Sequence, residues 1–250
     1  PGVSVTGTEN IMMAAVLAKG QTILRNVAKE PEVQDLANFL NSMGADISGA
    51  GTDEIIIIGV EDLNESVFTI PADRIEAGTY LIAAAVTYGD ITIKNIHPDR
   101  MNNILEKLKL SGANIETSDD SIRLSMSHDA INSVDISTAP FPGFPTDMQA
   151  QFTVLNALSN GSAVVTENVF ENRFMHVQEL NRMGCDITVK GSNAIVKGVR
   201  SLTGAPVMAT DLRASASLIL AGLCAKGETI VDRIYPVSYT HLRAHETSID

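Results

Sequence analysis

The sequence has 250 residues, 44% of them hydrophobic, and a formal net charge of −12 at pH 7. This length can build one large or two medium hydrophobic cores, and no apolar run is long enough to span a membrane. The acidic balance and the lack of a Lys/Arg cluster argue against a nucleic-acid-binding surface. The two cysteines, Cys185 and Cys224, form no spacing motif and indicate free thiols in a reducing, cytosolic protein.

One phrase recurs four times along the chain: a short helix, then Gly, then a β-branched strand. The copies lie roughly 70 residues apart, and they are LAKGQTILRNV, TYGDITIKNI, SNGSAVVTENV and AKGETIVDRI. In the first three units a second helix follows, and we expect Gly44, Gly112 and Gly184 to end it at the C′ position with positive φ. Each unit is therefore predicted to be β-α-β-α-β-β, and the fourth stops after its first half.

The first helix of each unit is apolar nearly all round, as in IMMAAVLA and SASLILAGLCA, which predicts that it is buried inside a domain. The second helices are amphipathic, as in ILEKLKLSG, and should lie outside. We therefore expect an α/β (α+β) fold in which sheets cover a bundle of buried helices, because such units must pack against their siblings. A solenoid is the alternative, although its repeats are usually shorter.

A domain boundary is expected near Pro71, where GVEDLNESVFTIPAD is polar and rich in turn residues. Residues 1–70 would be the last unit of one domain. Residues 71–235 would supply two full units and half of a third to a second domain, and this asymmetry predicts a truncated chain. Residues 236–250 (PVSYTHLRAHETSID) show no helical or strand period, and we predict that they are a non-native tail.

An acidic residue recurs where a strand leads into a first helix: Asp73 in PADRIEAGT, Asp147 in PTDMQAQ and Asp211 in ATDLRASAS. In the first unit VTGTEN, around Thr8, stands at this place. Carboxylates and hydroxyls at such positions cap helices, which is the simpler interpretation of any single one. If the buried helices run parallel, their N-termini would instead converge on an anion site. The sequence contains no Walker or Rossmann phosphate-binding motif.

Asp147 differs from the other acids because it follows the proline-rich segment APFPGFPT. Proline stiffens the chain, and a rigid loop that presents one carboxylate suits a general base. The segment TENVFENRFMH contributes Arg173, whose guanidinium could bind a phosphate or carboxylate. A surface salt bridge is the alternative role for Arg173.

Several long motifs, PFPGFPTDMQAQF, ENVFENRFMHVQEL and VMATDLRASASL, resemble those of the UDP-N-acetylglucosamine enolpyruvyl transferases of the EPSP synthase superfamily. The resemblance extends from about Val3 to Tyr235. It implies inside-out α/β barrel domains, each of three βαβαββ units, and no metal or other cofactor. It also implies two small-molecule substrates, phosphoenolpyruvate and UDP-N-acetylglucosamine, with enolpyruvyl transferred to the sugar 3′-hydroxyl through a tetrahedral adduct and phosphate released. That reaction is the first committed step of peptidoglycan synthesis.

The resemblance also assigns roles to residues that match the family motifs by position. Asp147 matches a catalytic acid beside the sugar 3′-hydroxyl, and Asp211 matches one close to the reacting carbons. Arg173 matches an arginine that binds phosphoenolpyruvate. The remaining matches are contacts of the nucleotide sugar: Val3, Ser4, Val5 and Val169.

Two departures from the family pattern bear on activity. Neither Cys185 nor Cys224 matches the family's catalytic Cys loop, and Tyr239 stands where a further phosphoenolpyruvate-binding arginine is expected. We therefore expect this fragment itself to be inactive. Two other interpretations remain open: a non-catalytic repeat scaffold that binds partners through its sheets, and the sister enolpyruvyl transferase that acts on shikimate 3-phosphate. A third interpretation, an RNA-processing cyclase with related repeats, would require basic grooves, and the sequence lacks the Lys/Arg clusters that would form them.

Overall fold

The computed structural model describes residues 2–127, 131–209 and 211–233. The predicted tail, residues 236–250, lies outside the described residues. The chain divides into two compact units, each with its own hydrophobic core. The smaller unit comprises the residues up to Ala72 together with Pro140–Gly143, and the larger unit comprises Asp73–Ala139 and the residues from Phe144 onward.

The smaller unit is one repeat in which two helices pack against a three-stranded sheet. Its elements are α1 (Val5–Ala15), β1 (Gln21–Arg25), α2 (Pro31–Ser42), β2 (Asp46–Ser48) and β3 (Glu54–Ile58). The strand order is β1-β3-β2, and both pairs are antiparallel. Alternate residues of β3, Ile55 and Ile57, point into the core, where they meet Met12 and Val33.

The larger unit contains two further copies of this arrangement and, within the described residues, the first part of a third. The first comprises α3 (Arg74–Val86), β4 (Asp90–Lys94), α4 (Asn102–Leu110), β5 (Asn114–Thr117) and β6 (Ser121–Ser125). The second comprises β7 (Ile136–Ser137), α5 (Gln149–Ala157), β8 (Ser162–Thr166), α6 (His176–Arg182), β9 (Asp186–Lys190) and β10 (Asn193–Lys197). The third comprises β11 (Leu202–Thr203), β12 (Pro206–Met208), α7 (Leu212–Cys224), β13 (Ala225–Lys226) and β14 (Ile230–Asp232).

Two sheets of the larger unit repeat the strand order of the smaller unit. β4, β6 and β5 form one sheet, and β7, β8, β10 and β9 form another in which β7 runs parallel to β8. β11 pairs with β13, and β12 pairs with β14, both in parallel. Buried and more accessible residues alternate along β6, β8 and β10, as the predicted one-sided sheets require.

The predicted helix-ending glycines are confirmed. Gly44, Gly112 and Gly184 have φ values of 100°, 102° and 93°. Each follows the C-cap residue of α2, α4 or α6, which is the C′ position. A side chain at such a φ is strained, so glycine is the residue that lets each chain leave its helix and enter the following strand.

The predicted bundle of buried first helices is confirmed in the larger unit. α3, α5 and α7 pack against one another, and all nine residues of α5 are buried. The amphipathic α4 lies outside this bundle, with Ile104, Leu105 and Leu108 facing inward while Glu106 is exposed. A first helix of the larger unit is therefore covered by sibling helices and by a sheet.

α1 departs from the prediction for first helices. Ile11 and Met13 are exposed although the helix is apolar nearly all round. Only Thr8, Met12 and Ala15 of this helix are buried. The smaller unit contains a single first helix, so α1 has no sibling within the unit to cover its second face.

The leading strand of the predicted unit also differs among the copies. It precedes α5 as β7 and α7 as β11 and β12. In the segments before α1 and α3, which are residues 2–4 and 59–73, the structure has no strand. In residues 59–73 no strand covers the chain, and the apolar side chains of Val67 and Ile70 are exposed to solvent.

Candidate active site

Asp147 lies in a single 3-10 turn, Thr146–Met148, that joins the proline-rich segment to α5. The next residue, Met148, is fully buried, and its side chain lies so close to Gly78 of α3 that a Cβ there would come within 2.9 Å of the methionine. Gln151 of α5 also donates to the hydroxyl of Thr79, at 3.1 Å. The N-terminal turns of α3 and α5 are therefore adjacent, and the turn that carries Asp147 is fixed against them.

Asp73 is the N-cap residue of its helix, as the capping interpretation predicts, whereas Asp147 is not the N-cap residue of its turn. Asp73 Oδ1 accepts the N–H groups of Ile75 at 2.7 Å and Glu76 at 3.1 Å, and so caps α3. The N-cap residues of the Asp147 turn and of α5 are Pro145 and Met148, and neither makes a side-chain capping bond. Asp147 is therefore not the N-cap residue of either element, and its carboxylate is paired with Arg173.

Asp147 and Arg173 are brought together although 26 residues separate them. Arg173 Nη1 lies 3.5 Å from Asp147 Oδ1 and donates a hydrogen bond to the hydroxyl of Thr146. The guanidinium carbon stacks 3.9 Å from the centre of the Phe170 ring. The Arg173 side chain is 18% exposed and that of Asp147 is 38% exposed, so both groups lie at a partly open surface.

Glu167, the first residue after β8, accepts hydrogen bonds from the segments that carry Asp147 and Arg173. It is only 3% exposed. Its Oε1 accepts hydrogen bonds from the Thr138 hydroxyl at 2.9 Å and from the N–H groups of Val169 at 2.9 Å and Phe170 at 3.1 Å. Its Oε2 accepts from the Thr146 hydroxyl at 2.9 Å. One buried carboxylate thus joins the loop of Val169 and Arg173 to the turn of Asp147.

Sequence reasoning missed Glu167 and Thr146. The only local signal is an acidic residue directly after the β-branched run SAVVT, in a place where the chain leaves a buried strand. Val169, by contrast, was singled out, and it is half-buried beside Phe170 in the same loop as Arg173.

Asp211 lies directly before α7, and its carbonyl accepts the N–H of Ser215 at 3.0 Å and the Ser215 hydroxyl at 2.9 Å. Its charge acts on His176, the first residue of α6. His176 is buried, and burial lowers the pKa of its imidazole to about 4, although Asp211 acts in the opposite direction. His176 is therefore a neutral imidazole at pH 7.

The buried His176 predicts a pH dependence of stability. Its folded pKa lies below the unfolded value of 6.5, so its contribution is present above pH 6.5 and is lost as the pH falls toward 4. We expect the free energy of unfolding to fall by about 2–3 kcal/mol across this window on account of His176. Urea unfolding at several pH values measures it, and the slope should be reduced in His176→Gln.

The predicted nucleotide contacts Val3, Ser4 and Val5 belong to the smaller unit. Ser4 caps α1, because its hydroxyl accepts the N–H of Gly7 at 3.0 Å. The expected role of a threonine there is wrong: Thr8 lies within the helix, where it donates to the Ser4 carbonyl and accepts the N–H of Ala28. Val3 and Ser4 are exposed, so the start of α1 is accessible to a ligand.

Burial disfavours the reactive thiolate form of both cysteines. Burial raises the pKa of Cys185 to about 12 and that of Cys224 to about 11. The Cys224 thiol also donates to the carbonyl of Val86 at 3.4 Å. Within the described ranges, no three His, Cys, Asp or Glu side chains come together in a way that could hold a metal ion. Of the helices in those ranges, none is long and apolar enough to cross a membrane.

The raised thiol pKa values predict slow alkylation. Because the thiolate is the nucleophile, we expect iodoacetamide at pH 7.5 to modify both cysteines more than tenfold more slowly in the folded chain than in urea. Mass spectrometry of timed samples measures the two rates. Equal rates in the two conditions would contradict the burial of Cys185 and Cys224.

Comparison with known proteins places this arrangement in context. Residues 1–247 match the family model described as EPSP synthase (3-phosphoshikimate 1-carboxyvinyltransferase). Over 235 residues the chain is 60% identical to the UDP-N-acetylglucosamine 1-carboxyvinyltransferase of Coxiella burnetii (strain RSA 493 / Nine Mile phase I), covering 94% of this chain and 54% of the relative. The chain thus spans about half the length of the curated relatives it matches.

Two solved structures share the fold. The enolpyruvyl transferase NikO from Streptomyces tendae has a TM-score of 0.86 and 25% identity, over 97% of this chain and 58% of NikO. An EPSP synthase from Acinetobacter baumannii has a TM-score of 0.71 and 20% identity, over 98% of this chain and 60% of that structure. These likenesses agree with the predicted repeat fold.

Proposed function

Because the chain belongs to the EPSP synthase family, we propose that the complete protein transfers the enolpyruvyl group of phosphoenolpyruvate to the 3′-hydroxyl of UDP-N-acetylglucosamine. The observation that carries this proposal is the pairing of Asp147 and Arg173, held by one hydrogen-bond network at a partly open surface. The choice of acceptor is supported by the 60% identity to a relative named for that reaction. The step would commit the nucleotide sugar to peptidoglycan synthesis.

The chemistry needs a base and a group that binds anions. The 3′-hydroxyl must lose its proton as its oxygen bonds to C2 of phosphoenolpyruvate, while C3 gains a proton and a tetrahedral adduct forms. Loss of a C3 proton and cleavage of the C2–O bond to phosphate then give the enol ether and free phosphate. Asp147, a partly exposed carboxylate on a fixed turn, would take the hydroxyl proton. Arg173 would bind the phosphate or carboxylate of phosphoenolpyruvate through its planar donors.

The remaining assignments follow the same family match. Asp211, half-buried at the start of α7, would act close to the reacting carbons. The nucleotide sugar would contact the backbone of Val169 in the Arg173 loop. The uridine nucleotide would contact the residues at the start of α1: Val3, Ser4 and Val5. We also propose a cytoplasmic location, which the two free cysteines support.

A second candidate is the transfer of enolpyruvyl to shikimate 3-phosphate. The name of the matching family model favours it. The related EPSP synthase structure, at 20% identity, supports only the fold. The two candidates share the phosphoenolpyruvate chemistry of Asp147 and Arg173 and differ only in the acceptor.

Phosphate release measures the proposed activity directly. A full-length transferase that contains this sequence is incubated with phosphoenolpyruvate and either UDP-N-acetylglucosamine or shikimate 3-phosphate. We expect release that depends on the UDP-sugar, and release with shikimate 3-phosphate alone would favour the second candidate. Assay of the 250-residue chain in parallel tests the expectation that this piece alone is inactive.

A further inference from the structure

Glu167 is the acceptor in each of its hydrogen bonds. Both of its carboxylate oxygens accept, three bonds reaching Oε1 and one reaching Oε2. A carboxylate buried to this degree is costly unless its lone pairs are used, and here they are used by four donors. Two of those donors are N–H groups of the backbone, and two are threonine hydroxyls.

The hydroxyl of Thr146 connects this carboxylate to the proposed phosphoenolpyruvate site. A hydroxyl has one proton to donate and two lone pairs with which to accept. Thr146 gives its proton to Glu167 Oε2, so its lone pairs are oriented to accept from Arg173 Nη1. Arg173, Thr146 and Glu167 thus form a chain in which every donor is directed toward the buried carboxylate.

We propose that Glu167 is a positioning residue that orients Arg173 beside Asp147 by fixing the direction of the Thr146 hydroxyl. The inference rests on the proposed function, since it concerns the phosphoenolpyruvate site. Glu167 itself would touch no substrate, because its side chain is buried and occupied by protein donors. A simpler role is that it only anchors the loop, through the N–H groups of Val169 and Phe170.

The variant Glu167→Gln separates the two roles. Three donors face Oε1, so the glutamine carbonyl oxygen must occupy that side and its NH2 group must face Thr146. The contacts to Val169 and Phe170 are then kept, while Thr146 meets a donor where it met an acceptor. The Thr146 hydroxyl would then have to accept from both the glutamine NH2 group and Arg173, so it would no longer be oriented by a buried acceptor. The contacts that anchor the loop would be retained.

The experiment uses steady-state phosphate release in a full-length transferase that contains this sequence. For Glu167→Gln we expect KM for phosphoenolpyruvate to rise about tenfold, with KM for the UDP-sugar and kcat within about threefold of wild type. Hydrogen exchange in the same protein should show the N–H groups of Val169 and Phe170 still protected. The matched control is Glu106→Gln, the same change on the exposed face of α4, which should alter neither constant.

Thr146→Val removes the connecting hydroxyl and leaves the other three donors of Glu167 in place. It should raise KM for phosphoenolpyruvate as Glu167→Gln does, the double variant should add nothing further, and Thr146→Ser should restore the wild-type constant. If Glu167→Gln does not fold, Thr146→Val and Thr146→Ser still test the proposal. An unchanged KM in Thr146→Val, or additive effects in the double variant, would overturn the role of Glu167. Absence of phosphate release by the wild-type enzyme would overturn the proposed function as well.

Discussion

Replacing Asp147 by Asn in a full-length transferase that contains this sequence is expected to lower kcat about a hundredfold or more. Asparagine keeps the size and one carbonyl oxygen of the side chain but cannot take a proton from the sugar hydroxyl. The free energy of unfolding should stay within about 1 kcal/mol of wild type, because a partly exposed ion pair such as Asp147 with Arg173 contributes little. kcat from phosphate release and urea unfolding of the same variant give the two quantities.

A second variant, Asp73→Ala, provides a reference value for the unfolding measurement. Asp73→Ala removes an observed helix cap, since Asp73 Oδ1 accepts two N–H groups of α3, and it should cost about 1 kcal/mol. The N-cap position of α5 is occupied by Met148, not by Asp147. If Asp147→Asn left kcat near normal and lowered stability as Asp73→Ala does, Asp147 would be a structural residue and the proposed base would be wrong.

The parts of the fold that depend on short-range signals could be predicted from the sequence. A glycine that ends a helix needs only its own φ, so Gly44, Gly112 and Gly184 were predicted correctly. The burial of α5 was predicted correctly from its apolar residues, although four of its nine buried residues, Gln149, Gln151, Thr153 and Asn156, are polar. The exposure of α1 could not be predicted in this way, because the same apolar pattern is buried only where sibling helices cover it.

The candidate site depends on longer-range contacts, and its chemistry came mainly from the family resemblance. Asp147 is locally distinctive because of the prolines before it, but its proximity to Arg173 depends on how β8 and α5 pack. The role of Glu167 could not be predicted locally, because two of its four donors, Thr138 and Thr146, lie more than 20 residues away in the sequence. The cap of α1 was misassigned because Ser4 and Thr8 are both good capping residues and lie one turn apart.

The second large effect is expected for Phe152→Ala, in the middle of α5. Phe152 is fully buried, and its ring meets Phe144 edge-on, with centroids 5.1 Å apart. Because α5 is enclosed on every side by α3, α7 and the β8–β10 sheet, its surroundings can relax only partly into the space that the ring leaves. We expect the free energy of unfolding to fall by about 3–5 kcal/mol.

Tyrosine fluorescence during urea unfolding of the 250-residue chain isolates this effect. The chain has no Trp and four Tyr, none of which lies in the smaller unit. Tyr80 lies on α3 and Tyr88 two residues after its end, and α3 packs against α5. Tyr235 and Tyr239 lie outside the described residues. The matched control is Phe170→Ala, the same change at a side chain that is 52% exposed, which should cost less than about 1 kcal/mol. Since the two variants lose the same atoms, their difference measures the burial of the ring in the helix bundle. Equal losses would mean that α5 does not lie in a close-packed core, and the turn that it supports at Asp147 would then lack the rigidity that the proposed base requires.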